Sequence, residues 1–377
     1  MSTSGPRSYP CTRRTTGPPL PIALLGLVFD PVTLEDAQAI VCRAAENRQK
    51  LVFATPNVNF LASAAQTPSF RRQVLQCHLS LVDGMPLVWI GRLLGLQIPE
   101  RVSGSSLFEA LQHDRGHRPL RVFFFGGDPG VAQLATGAIS RDSPGVLPAG
   151  YLDPGRGSVE DMSSDEIIAT INAAHADFLC VALGAVKGHA WIARNASRLN
   201  APVISHLGAV VNFVAGRIQR APRWMQRCGL EWAWRIMSEP VLLKRYARDG
   251  LWLLDALTKQ VLPACLTRMR PRREAGDFSW WCVGGDAGRQ SLILKGHLTG
   301  TALLQNPDFT ALVPPAGTMM SVDMHELMSV DSHGVAWLLR FCYSIDTESS
   351  IKLEGVNART RKCLRLFGAD FISGEFT

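Results

Sequence analysis

The sequence predicts an α/β protein in which a parallel sheet, covered by helices on both faces, is followed by a second, smaller α/β module. Two observations predict this fold class. Short apolar runs alternate with helical patterns over about the first two hundred residues, as in βαβ units. A stretch rich in proline and charge, around residues 263–274, then precedes a new series of shorter strand and helix patterns.

The composition supports two folded domains. The chain has 377 residues, of which 46% are hydrophobic and only 19% charged, so it can bury a large core and wholesale disorder is excluded. Its nine cysteines are odd in number and never form a C-x-x-C pair, which predicts neither a disulfide framework nor a zinc site and is typical of a reducing cytosol. The apolar runs are shorter than the roughly 20 residues that span a bilayer. We expect residues 1–20 to form a disordered lead-in.

The first domain is predicted from one helix and four strands. Thr33 and Asp36 resemble a capping box at the start of an amphipathic helix over Thr33–Arg48. The predicted strands are Leu51–Ala54, Val122–Phe125, Phe178–Leu183 and Val203–Leu207. In parallel sheets ligands bind outside the carboxyl ends of the strands. The turns that follow the first three strands, at Thr55–Asn57, Gly126–Gly130 and Gly184, are therefore the predicted location of the site.

A basic, Trp-rich helical tail follows the first domain. Residues 217–273 hold thirteen Lys and Arg against four Asp and Glu, an excess of nine in a chain whose net charge is +7. Such a stretch indicates an anionic partner, which could be a pyrophosphate, a nucleic acid or an acidic membrane surface. We therefore predict a domain at 21–216, the tail and a linker at 217–273, and a second domain at 274–377.

The second domain is predicted as a compact module of about 100 residues, enough for one small core. Its predicted strands are Ser291–Leu298, Met319–Met324 and Ile351–Leu353, and its predicted helices are Val335–Tyr343 and Ala358–Phe367, with Gly368 as the stop.

Asp83 is the candidate general base. It follows an apolar run and precedes a Gly-Met-Pro turn, where its carboxylate could reach the hydroxyl of an acceptor. The alternative is that Asp83 caps a helix starting at Pro86, and the residues alone favour the cap.

The glycine loop at Gly126, Gly127 and Gly130 is a second candidate. Its backbone N–H groups could bind a diphosphate at a helix N-terminus. A tight strand-to-helix turn without a ligand explains the loop equally well.

Arginines, rather than a metal, are expected to neutralise a bound diphosphate. No Asp-x-Asp occurs, so the usual carboxylate pair for Mg²⁺ or Mn²⁺ is missing. The candidates are Arg101, Arg220, Arg223 and Arg227. A guanidinium group can donate two parallel hydrogen bonds to the oxygens of one phosphate. The alternative is that these arginines solvate a helix face or contact lipid headgroups. His113 and His117 have a metal-like spacing, but Gly116 interrupts the helix, and we expect no metal or other cofactor.

A series of motifs in one order resembles the WecG/TagA/CpsF glycosyltransferases (family 26) over about Leu24 to Gly250. The motifs are Thr55-Pro-Asn57, Val82-Asp-Gly-Met-Pro-Leu-Val-Trp89, Glu100-Arg-Val-x-Gly104, Phe125-Gly-Gly-x-Pro-Gly130, Ala182-Leu-Gly184 with Lys187 and Trp191-Ile192, Arg220-Ala-Pro222, Gly229-Leu-Glu-Trp232, Glu239-Pro240 and Lys244-Arg-Tyr246. The resemblance implies a Rossmann-like inverting transferase that moves a sugar from a nucleoside diphosphate, typically UDP, to a lipid-diphosphate-linked acceptor during surface-polysaccharide assembly.

The resemblance also implies site residues. It favours catalysis over capping for Asp83, and it places Thr55 and Asn57 in the active-site pocket. It ranks Arg101 and Arg220 above the other arginines and adds Gly184 and Lys187 as substrate-binding candidates. We expect such an enzyme to be cytoplasmic and attached to the inner face of the plasma membrane by its tail, where Trp rings and cations are favoured, or else to pack the tail on the first domain.

The sequence lacks a polar residue of the family pattern at four positions. Where the family usually reads Pro-Lys-Gln-Glu, this chain has Val186-Lys187-Gly188-His189, so an amide and a carboxylate are lost. Ser106 and Asn212 each replace an acidic residue. These losses fit a changed donor, or a degenerate transferase fold that binds a sugar nucleotide without turnover. His189 could replace the lost carboxylate, or it could be an ordinary surface or core histidine.

The C-terminal module resembles a STAS domain. The resemblance lies in Val322-Asp-Met324, Ser329-Val-Asp-Ser-His-Gly334, Ile351-Lys-Leu-Glu-Gly355 and Leu366-Phe-Gly-Ala369. Phosphorylatable STAS domains have Ser or Thr just before that glycine, but here the residue is His333, and Ser332 is expected to cap the helix. The resemblance implies a regulatory module that docks a protein partner or binds a small ligand. We expect no nucleic-acid partner, because no reader motif accompanies the basic stretch.

Overall fold

The computed structural model describes residues 19–268, 277–284, 289–312, 319–343 and 351–376. Most of the predicted lead-in, at residues 1–18, lies outside them. The chain forms two compact units. The first consists of Val32–Trp89 and Ile98–Gly250, and the second of Met1–Pro31, Ile90–Gln97 and Leu251–Thr377.

The strands, in chain order, are β1 (Ile22–Leu24), β2 (Leu27–Phe29), β3 (Leu51–Ala54), β4 (Leu79–Ser80), β5 (Leu120–Gly126), β6 (Val146–Leu152), β7 (Phe178–Ala182), β8 (Val203–His206), β9 (Phe278–Gly284), β10 (Arg289–Leu298), β11 (Met319–Val330) and β12 (Ile351–Glu354). The helices are α1 (Leu34–Glu46), α2 (Val58–Gln66), α3 (Pro68–Leu75), α4 (Met85–Leu93), α5 (Gly104–Gln112), α6 (Val131–Asp142), α7 (Asp165–Ala173), α8 (Ala185–Asn195), α9 (Gly208–Val214), α10 (Arg223–Arg227), α11 (Glu231–Ser238), α12 (Leu243–Ala256), α13 (Leu262–Arg268), α14 (Gly300–Gln305), α15 (Pro307–Thr310), α16 (Ser332–Tyr343), α17 (Ala358–Leu366) and α18 (Ile372–Glu375).

The first unit is built on a parallel sheet, and the predicted α/β class is confirmed. Its strand order is β4-β3-β8-β7-β5-β6, and every neighbouring pair runs parallel. The four predicted strands are confirmed within one or two residues. The two edge strands were missed: β4 has only two residues, and β6 is largely accessible to solvent, so neither gives a continuous apolar run.

The core of the first unit lies on both faces of this sheet. Phe53, Phe124 and Phe178 are fully buried, as expected for strands covered on both sides. Helix α1 begins with the predicted capping box, in which Thr33 accepts from the Asp36 N–H and the Asp36 carboxylate accepts from the Thr33 N–H.

The second unit contains a four-stranded sheet in the order β12-β11-β10-β9. The three predicted strands are confirmed as β10, β11 and β12, which run parallel to one another. Strand β9 was missed; it pairs antiparallel with β10. The predicted helices are confirmed as α16 and α17, although α16 begins at Ser332 rather than at Val335.

An N-terminal hairpin, β1-β2, belongs to the second unit. Ile22 to Phe29 are all buried, and the hairpin packs on α16. A Cβ at Gly26 would lie 2.9 Å from the Gly368 carbonyl oxygen. The sequence placed residues 21–31 in the first domain, because a short apolar run carries no information about which distant helix it will cover. The contacts assign these residues to the C-terminal unit instead.

The basic tail is helical, as expected, over α10 to α13, with a π-helical turn at Leu257–Val261. Across the residues that the structure describes, the helices lack the combination of length and apolar character needed to cross a membrane.

Candidate active site

Two loops carry the predicted catalytic residues, and backbone hydrogen bonds hold them side by side. The strands β3 and β4 run parallel, so the loops that follow them leave the same edge of the sheet. The Leu81 N–H donates to the Ala54 carbonyl at 2.9 Å, and the Asp83 N–H donates to the Pro56 carbonyl at 3.1 Å. This pairing brings Asp83 next to the loop that carries Thr55 and Asn57.

Gly104, the first residue of α5, lies against the residues that follow β3 and β8. The Val102 N–H donates to the Val82 carbonyl at 2.9 Å, and Ser103 caps α5, so the start of α5 lies against the Asp83 loop. A Cβ at Gly104 would lie 2.5 Å from the Leu207 side chain and 3.4 Å from the Thr55 hydroxyl oxygen. The carboxyl ends of β3 and β8 therefore meet the N-terminus of α5 with no room for a side chain between them.

The Asp83 carboxyl group has the electrostatic character of a base that works near neutral pH. Burial raises its pKa to about 7, and the negative charge of Glu231 contributes in the same direction. The cations Arg101, Arg235 and Arg220 oppose this shift without cancelling it. A carboxylate with a pKa near the working pH combines a useful ionised population with a useful affinity for the proton.

The predicted capping role of Asp83 is not found. The first turn of α4 is closed by main-chain groups, since the Leu87 N–H donates to the Gly84 carbonyl at 3.2 Å. Within the described structure the Asp83 carboxylate makes no hydrogen bond to this turn. Asn57, by contrast, is a helix cap: its side-chain oxygen accepts from the Phe60 N–H at 3.2 Å at the start of α2.

Two of the predicted arginines lie in the electrostatic surroundings of Asp83, each paired with a carboxylate. Arg101 donates to Glu231 at 2.6 Å, with both side chains largely buried. Arg220 pairs with Glu109 and donates to the Ser106 hydroxyl at 3.1 Å. Ser106, one of the four departures, thus helps to hold an arginine of the site.

Other predicted ligands are less closely tied to this site. Arg223 and Arg227 belong to α10, but their side chains lie outside the described part of the structure. The Lys187 ammonium donates to the Gly157 carbonyl, a loop contact rather than a contact with the Asp83 group. The assignment of Lys187 as a substrate ligand therefore stays a prediction.

The glycine turns adopt the conformations that their sequence predicts. Gly126, Gly127, Gly130 and Gly184 all have positive φ, which glycine adopts at little cost. The Gly127 N–H donates to the Ala182 carbonyl at 2.8 Å, so this group serves the fold. Gly130 begins α6 without a side-chain cap, and residues 127–130 are exposed.

His189 is a core residue. It is 1% exposed, and its ring makes edge-on contacts with Phe60 and Phe70, with centroids 5.5 and 5.7 Å away. Burial, together with the nearby His206, lowers the pKa of His189 to about 3. Of the two interpretations open from the sequence, the ordinary core histidine is the one that the structure supports.

The metal-like pair His113 and His117 separates in the structure. His113 contacts the carbonyl of Glu109, whereas His117 contacts the Asp114 carboxylate at 2.7 Å. The sulfur of Cys42 joins the latter two, and the three potential ligand atoms lie within 4.8 Å of one another. The contacts of the Asp114 carboxylate with Cys42 and with His117 explain why these three atoms lie close together.

Sequence reasoning missed two residues of the site. Glu231 and Arg235 lie one turn apart on α11 and both act electrostatically on Asp83. The signal was present, because Glu231 belongs to the Gly229-Leu-Glu-Trp232 motif. The motif was attributed to the tail, and nothing in the sequence indicated that the tail returns to the aspartate.

Comparison with known proteins identifies the family of this chain. The model of the glycosyl transferase WecG/TagA/CpsF family matches residues 22–264. An N-acetylglucosaminyldiphosphoundecaprenol N-acetyl-β-D-mannosaminyltransferase of Bacillus spizizenii is 30% identical over 195 residues, covering 52% of this chain and 73% of the relative. The protein of the same name from Bacillus subtilis is 27% identical over 209 residues, covering 55% and 80%. The chain therefore belongs to the WecG/TagA/CpsF family and is a glycosyltransferase.

Proposed function

We propose that this enzyme transfers a sugar from a UDP-sugar to a saccharide carried on a polyprenyl diphosphate, in the synthesis of an exopolysaccharide or another cell-surface glycan. The observation that carries the proposal is the Asp83 carboxyl group, held at the carboxyl edge of the sheet among Arg101, Arg220 and Arg235. The names of the two relatives support a lipid-diphosphate acceptor and a donor of the N-acetylmannosamine type.

Asp83 is the general base in this mechanism. Its carboxylate removes the proton from the acceptor hydroxyl while the oxygen attacks the anomeric carbon and the bond from that carbon to UDP breaks. Attack opposite to the leaving group inverts the anomeric centre. A positioned base contributes about 10²–10⁴-fold to such a step.

The arginines stabilise the negative charge that develops on the departing diphosphate. Fixed cations in a site shielded from water do this without reorganising, which makes them effective. Arg101 and Arg220 are already oriented by Glu231 and Glu109. Since the chain has no Asp-x-Asp motif, we assign this work to the arginines and not to a divalent ion.

Thr55 and Asn57 position the substrates from the loop after β3. The Thr55 side chain is buried against Gly104, so its hydroxyl is fixed relative to the Asp83 loop. Asn57 uses its oxygen to cap α2 and keeps its amide N–H groups for a ligand.

The tail attaches the enzyme to the cytoplasmic face of the membrane. Apolar side chains of α11 to α13 that are more than half exposed include Met237, Val241, Leu243 and Leu251, in a segment with a strong excess of basic residues. Apolar area and cations together favour an anionic lipid surface. Co-sedimentation with vesicles of anionic lipid, but not with zwitterionic vesicles at high salt, is the expected result.

The C-terminal unit is proposed to be a STAS-like module that modulates activity or assembly. The motifs on which the resemblance rests lie on or beside β11, α16, β12 and α17. Its protein or small-ligand partner is part of this proposal.

A transfer assay tests the proposed function. The purified full-length chain is incubated with radiolabelled UDP-N-acetylmannosamine and related UDP-sugars, together with N-acetylglucosaminyl-diphospho-polyprenol. We expect product with the wild type and a loss of at least about 100-fold with Asp83→Asn. Asp308→Asn, an exposed aspartate of the second unit, is the control and should retain full activity.

Two results would overturn parts of the proposal. Undiminished transfer by Asp83→Asn would remove Asp83 from the chemistry. Calorimetric binding of a UDP-sugar with no transfer to any acceptor would select the alternative raised by the four departures, a degenerate transferase fold that acts as a sugar-nucleotide-binding regulatory or scaffold protein.

A further inference from the structure

Three side chains with the ligand chemistry of a borderline-soft divalent metal converge between α1 and the loop that follows α5. They are Cys42, Asp114 and His117, and their potential ligand atoms all lie within 4.8 Å of one another. The Cys42 sulfur lies 3.6 Å from Oδ2 of Asp114, and Nδ1 of His117 lies 2.7 Å from the same carboxylate oxygen. A thiolate, an imidazole and a carboxylate are the three types of side-chain ligand that zinc takes from proteins.

The backbone of the loop is fixed in this arrangement. The Gly116 N–H donates to Oδ1 of Asp114 at 2.9 Å, which turns the chain so that His117 returns to the carboxylate. The Gly145 N–H donates to the Gln112 carbonyl at 2.9 Å, and a Cβ at Gly145 would lie 2.8 Å from the Asp114 carbonyl oxygen. The loop is therefore held against the start of β6, and its ligand atoms are presented without a large rearrangement.

The distances fit a zinc ion after a small adjustment. Zinc binds sulfur at about 2.3 Å and nitrogen or oxygen at about 2.0–2.2 Å, so two ligand atoms on one tetrahedral ion lie roughly 3–4 Å apart. The separation of the Cys42 sulfur from the Asp114 oxygen is already in this range. The His117 ring has to move away from the carboxylate by roughly 0.5 Å, which the 37% exposure of its side chain allows.

The charges balance when the ion binds. The Cys42 thiol releases its proton to solvent, and the neutral His117 ring carries its proton on Nε2, so that Nδ1 has a lone pair for the ion. The thiolate and the Asp114 carboxylate then compensate the two positive charges of the ion, so no unpaired charge is buried beside a residue that is 1% exposed. The accessible side of the cluster, at His117, admits water as the fourth ligand.

Two carboxylates strengthen the attraction of this cluster for a cation. The negative charges of Asp114 and Glu46 both act on the Cys42 sulfur, and Glu46 lies one helical turn beyond Cys42 on α1. Arg118 opposes them, but its guanidinium group donates two hydrogen bonds to Asp177, at 2.8 and 3.0 Å. The positive charge of Arg118 is therefore largely compensated within its own ion pair.

His113 lies apart from this cluster. The sequence pairs it with His117 by spacing, but its Nδ1 lies 2.8 Å from the carbonyl oxygen of Glu109, one turn back along the chain. The ligand that joins His117 and Asp114 is instead Cys42, which lies 72 positions before Asp114. His113 is therefore a matched control for His117.

The cluster lies at the opposite end of α5 from the candidate active site. Gly104 begins this helix beside Thr55, whereas Asp114 follows its C-terminal end. The helix has nine residues, so about 13 Å separate its two ends. An ion at the cluster is too far from Asp83 to take part in the transfer, and its role is structural.

We propose that Cys42, Asp114 and His117 form a structural zinc site that clamps the loop after α5 to α1. The ion joins two elements that are distant in the chain, and it fixes the C-terminal end of the helix whose Glu109 pairs with Arg220. Cobalt, which has a similar ligand preference, occupies the same site. The inference concerns a separate location and does not depend on the proposed function.

Metal titration of the purified, untagged chain tests the proposal. After treatment with a chelator, Zn²⁺ binding is measured by calorimetry and by competition with a chromophoric chelator, and Co²⁺ is added as a spectroscopic probe. The ligand variants are Cys42→Ser and His117→Gln. The controls are His113→Gln and Cys363→Ser, the latter at a half-buried cysteine of α17. The Tm and the circular dichroism spectrum of every variant are recorded.

The wild type is expected to bind one Zn²⁺ per chain and to gain thermal stability as the free Zn²⁺ concentration rises. Co²⁺ should give a thiolate-to-metal charge-transfer band that Cys42→Ser lacks. His117→Gln should bind Zn²⁺ at least about 100-fold more weakly, since even the loss of a hydrogen-bond partner of a ligand costs roughly 10–100-fold. Both controls should keep the band, the stoichiometry and the rise in Tm.

The proposal is overturned if the untagged wild type binds no Zn²⁺ in stoichiometric amount. It is also overturned if folded Cys42→Ser and His117→Gln bind Zn²⁺ as the wild type does, because the ion would then lie on other side chains of the protein. His117 is exposed, so His117→Gln decides the question even if the buried substitution Cys42→Ser prevents folding.

Discussion

The hydroxyl group of Ser332 is bonded twice to the main chain of Ala23, a residue 309 positions earlier in the sequence. It donates to the Ala23 carbonyl at 2.9 Å and accepts the Ala23 N–H at 3.0 Å. Two further contacts reinforce this attachment: His333 lies 2.9 Å from the Pro21 carbonyl, and Arg340 pairs with Asp30 at 2.6 Å. The start of α16 is therefore covered by the hairpin of the same chain.

Ser332→Ala is expected to loosen this hairpin. The substitution leaves the buried N–H and carbonyl groups of Ala23 without a partner, at a cost of about 1–3 kcal/mol. Hydrogen exchange at Leu24 to Phe29 should accelerate, and the Tm of the second unit should fall. Ser279→Ala, an exposed serine on β9, should change neither. Unaltered exchange in Ser332→Ala would mean that apolar burial alone holds the hairpin.

The activity should follow the ionisation of Asp83. If Asp83 is the base, kcat/KM should rise tenfold per pH unit below about pH 7 and level off above it, since burial raises the pKa of this group to about 7 and only the ionised form accepts a proton. A profile that is flat from pH 5 to 8 would contradict this assignment. The measurement is the rate of transfer at low donor concentration across this range.

Glu231→Gln should move the rising, acidic limb of the pH profile of kcat/KM to lower pH. Glu231 raises the pKa of Asp83, and its removal also releases Arg101, whose charge lowers it. Arg101→Gln should move the limb in the opposite direction. Glu166→Gln, at an exposed position of α7, is the matched control and should leave the profile unchanged. Identical profiles for Glu231→Gln and the wild type would show that Glu231 does not act on the base.

Asp83→Asn should stabilise the protein at alkaline pH while it abolishes transfer. Because the pKa of Asp83 is higher in the folded than in the unfolded chain, the folded state loses stability as the pH rises from about 4 to about 7. Asparagine avoids this loss. The Tm of the variant should therefore exceed that of the wild type by a few degrees at pH 8, with the difference shrinking towards pH 4; about 1 kcal/mol corresponds to roughly 2–4 °C in a domain of this size.

Asp177 should show the opposite pH dependence. Burial by itself raises the pKa of Asp177, but hydrogen bonds from Arg118, at 2.8 and 3.0 Å, and from the Arg121 N–H outweigh it, so the pKa lies below its ordinary value. The stability from this group is present above the pKa of the unfolded chain, near 4, and is lost as the pH falls below that value. Because the Arg118 side chain is itself 45% exposed, Asp177→Asn should cost about 1–3 kcal/mol near pH 7 and less near pH 3, as measured by urea unfolding.

The sequence was most informative where a local pattern decides the outcome. The strands β3, β5, β7 and β8 are continuous apolar runs bounded by turn residues. The start of α1 is marked in the sequence by the capping box of Thr33 and Asp36. The short edge strand β4 and the solvent-exposed β6 carry no such pattern. Their positions follow from pairing with neighbours, which a local reading cannot detect.

For the candidate site, the sequence by itself determined the family motifs, the fold class and the candidate residues Asp83, Thr55 and Arg101, because residue types and their order are written along the chain. Only the tertiary structure decided which residues share a space. It brought Glu231 and Arg235 to Asp83, placed the imidazole of His206 where a side chain of Gly188 would stand, and gave the hairpin of Ala23 to the C-terminal unit. The physical reason is that burial, charge and excluded volume act between atoms near in space, and sequence separation does not measure that distance.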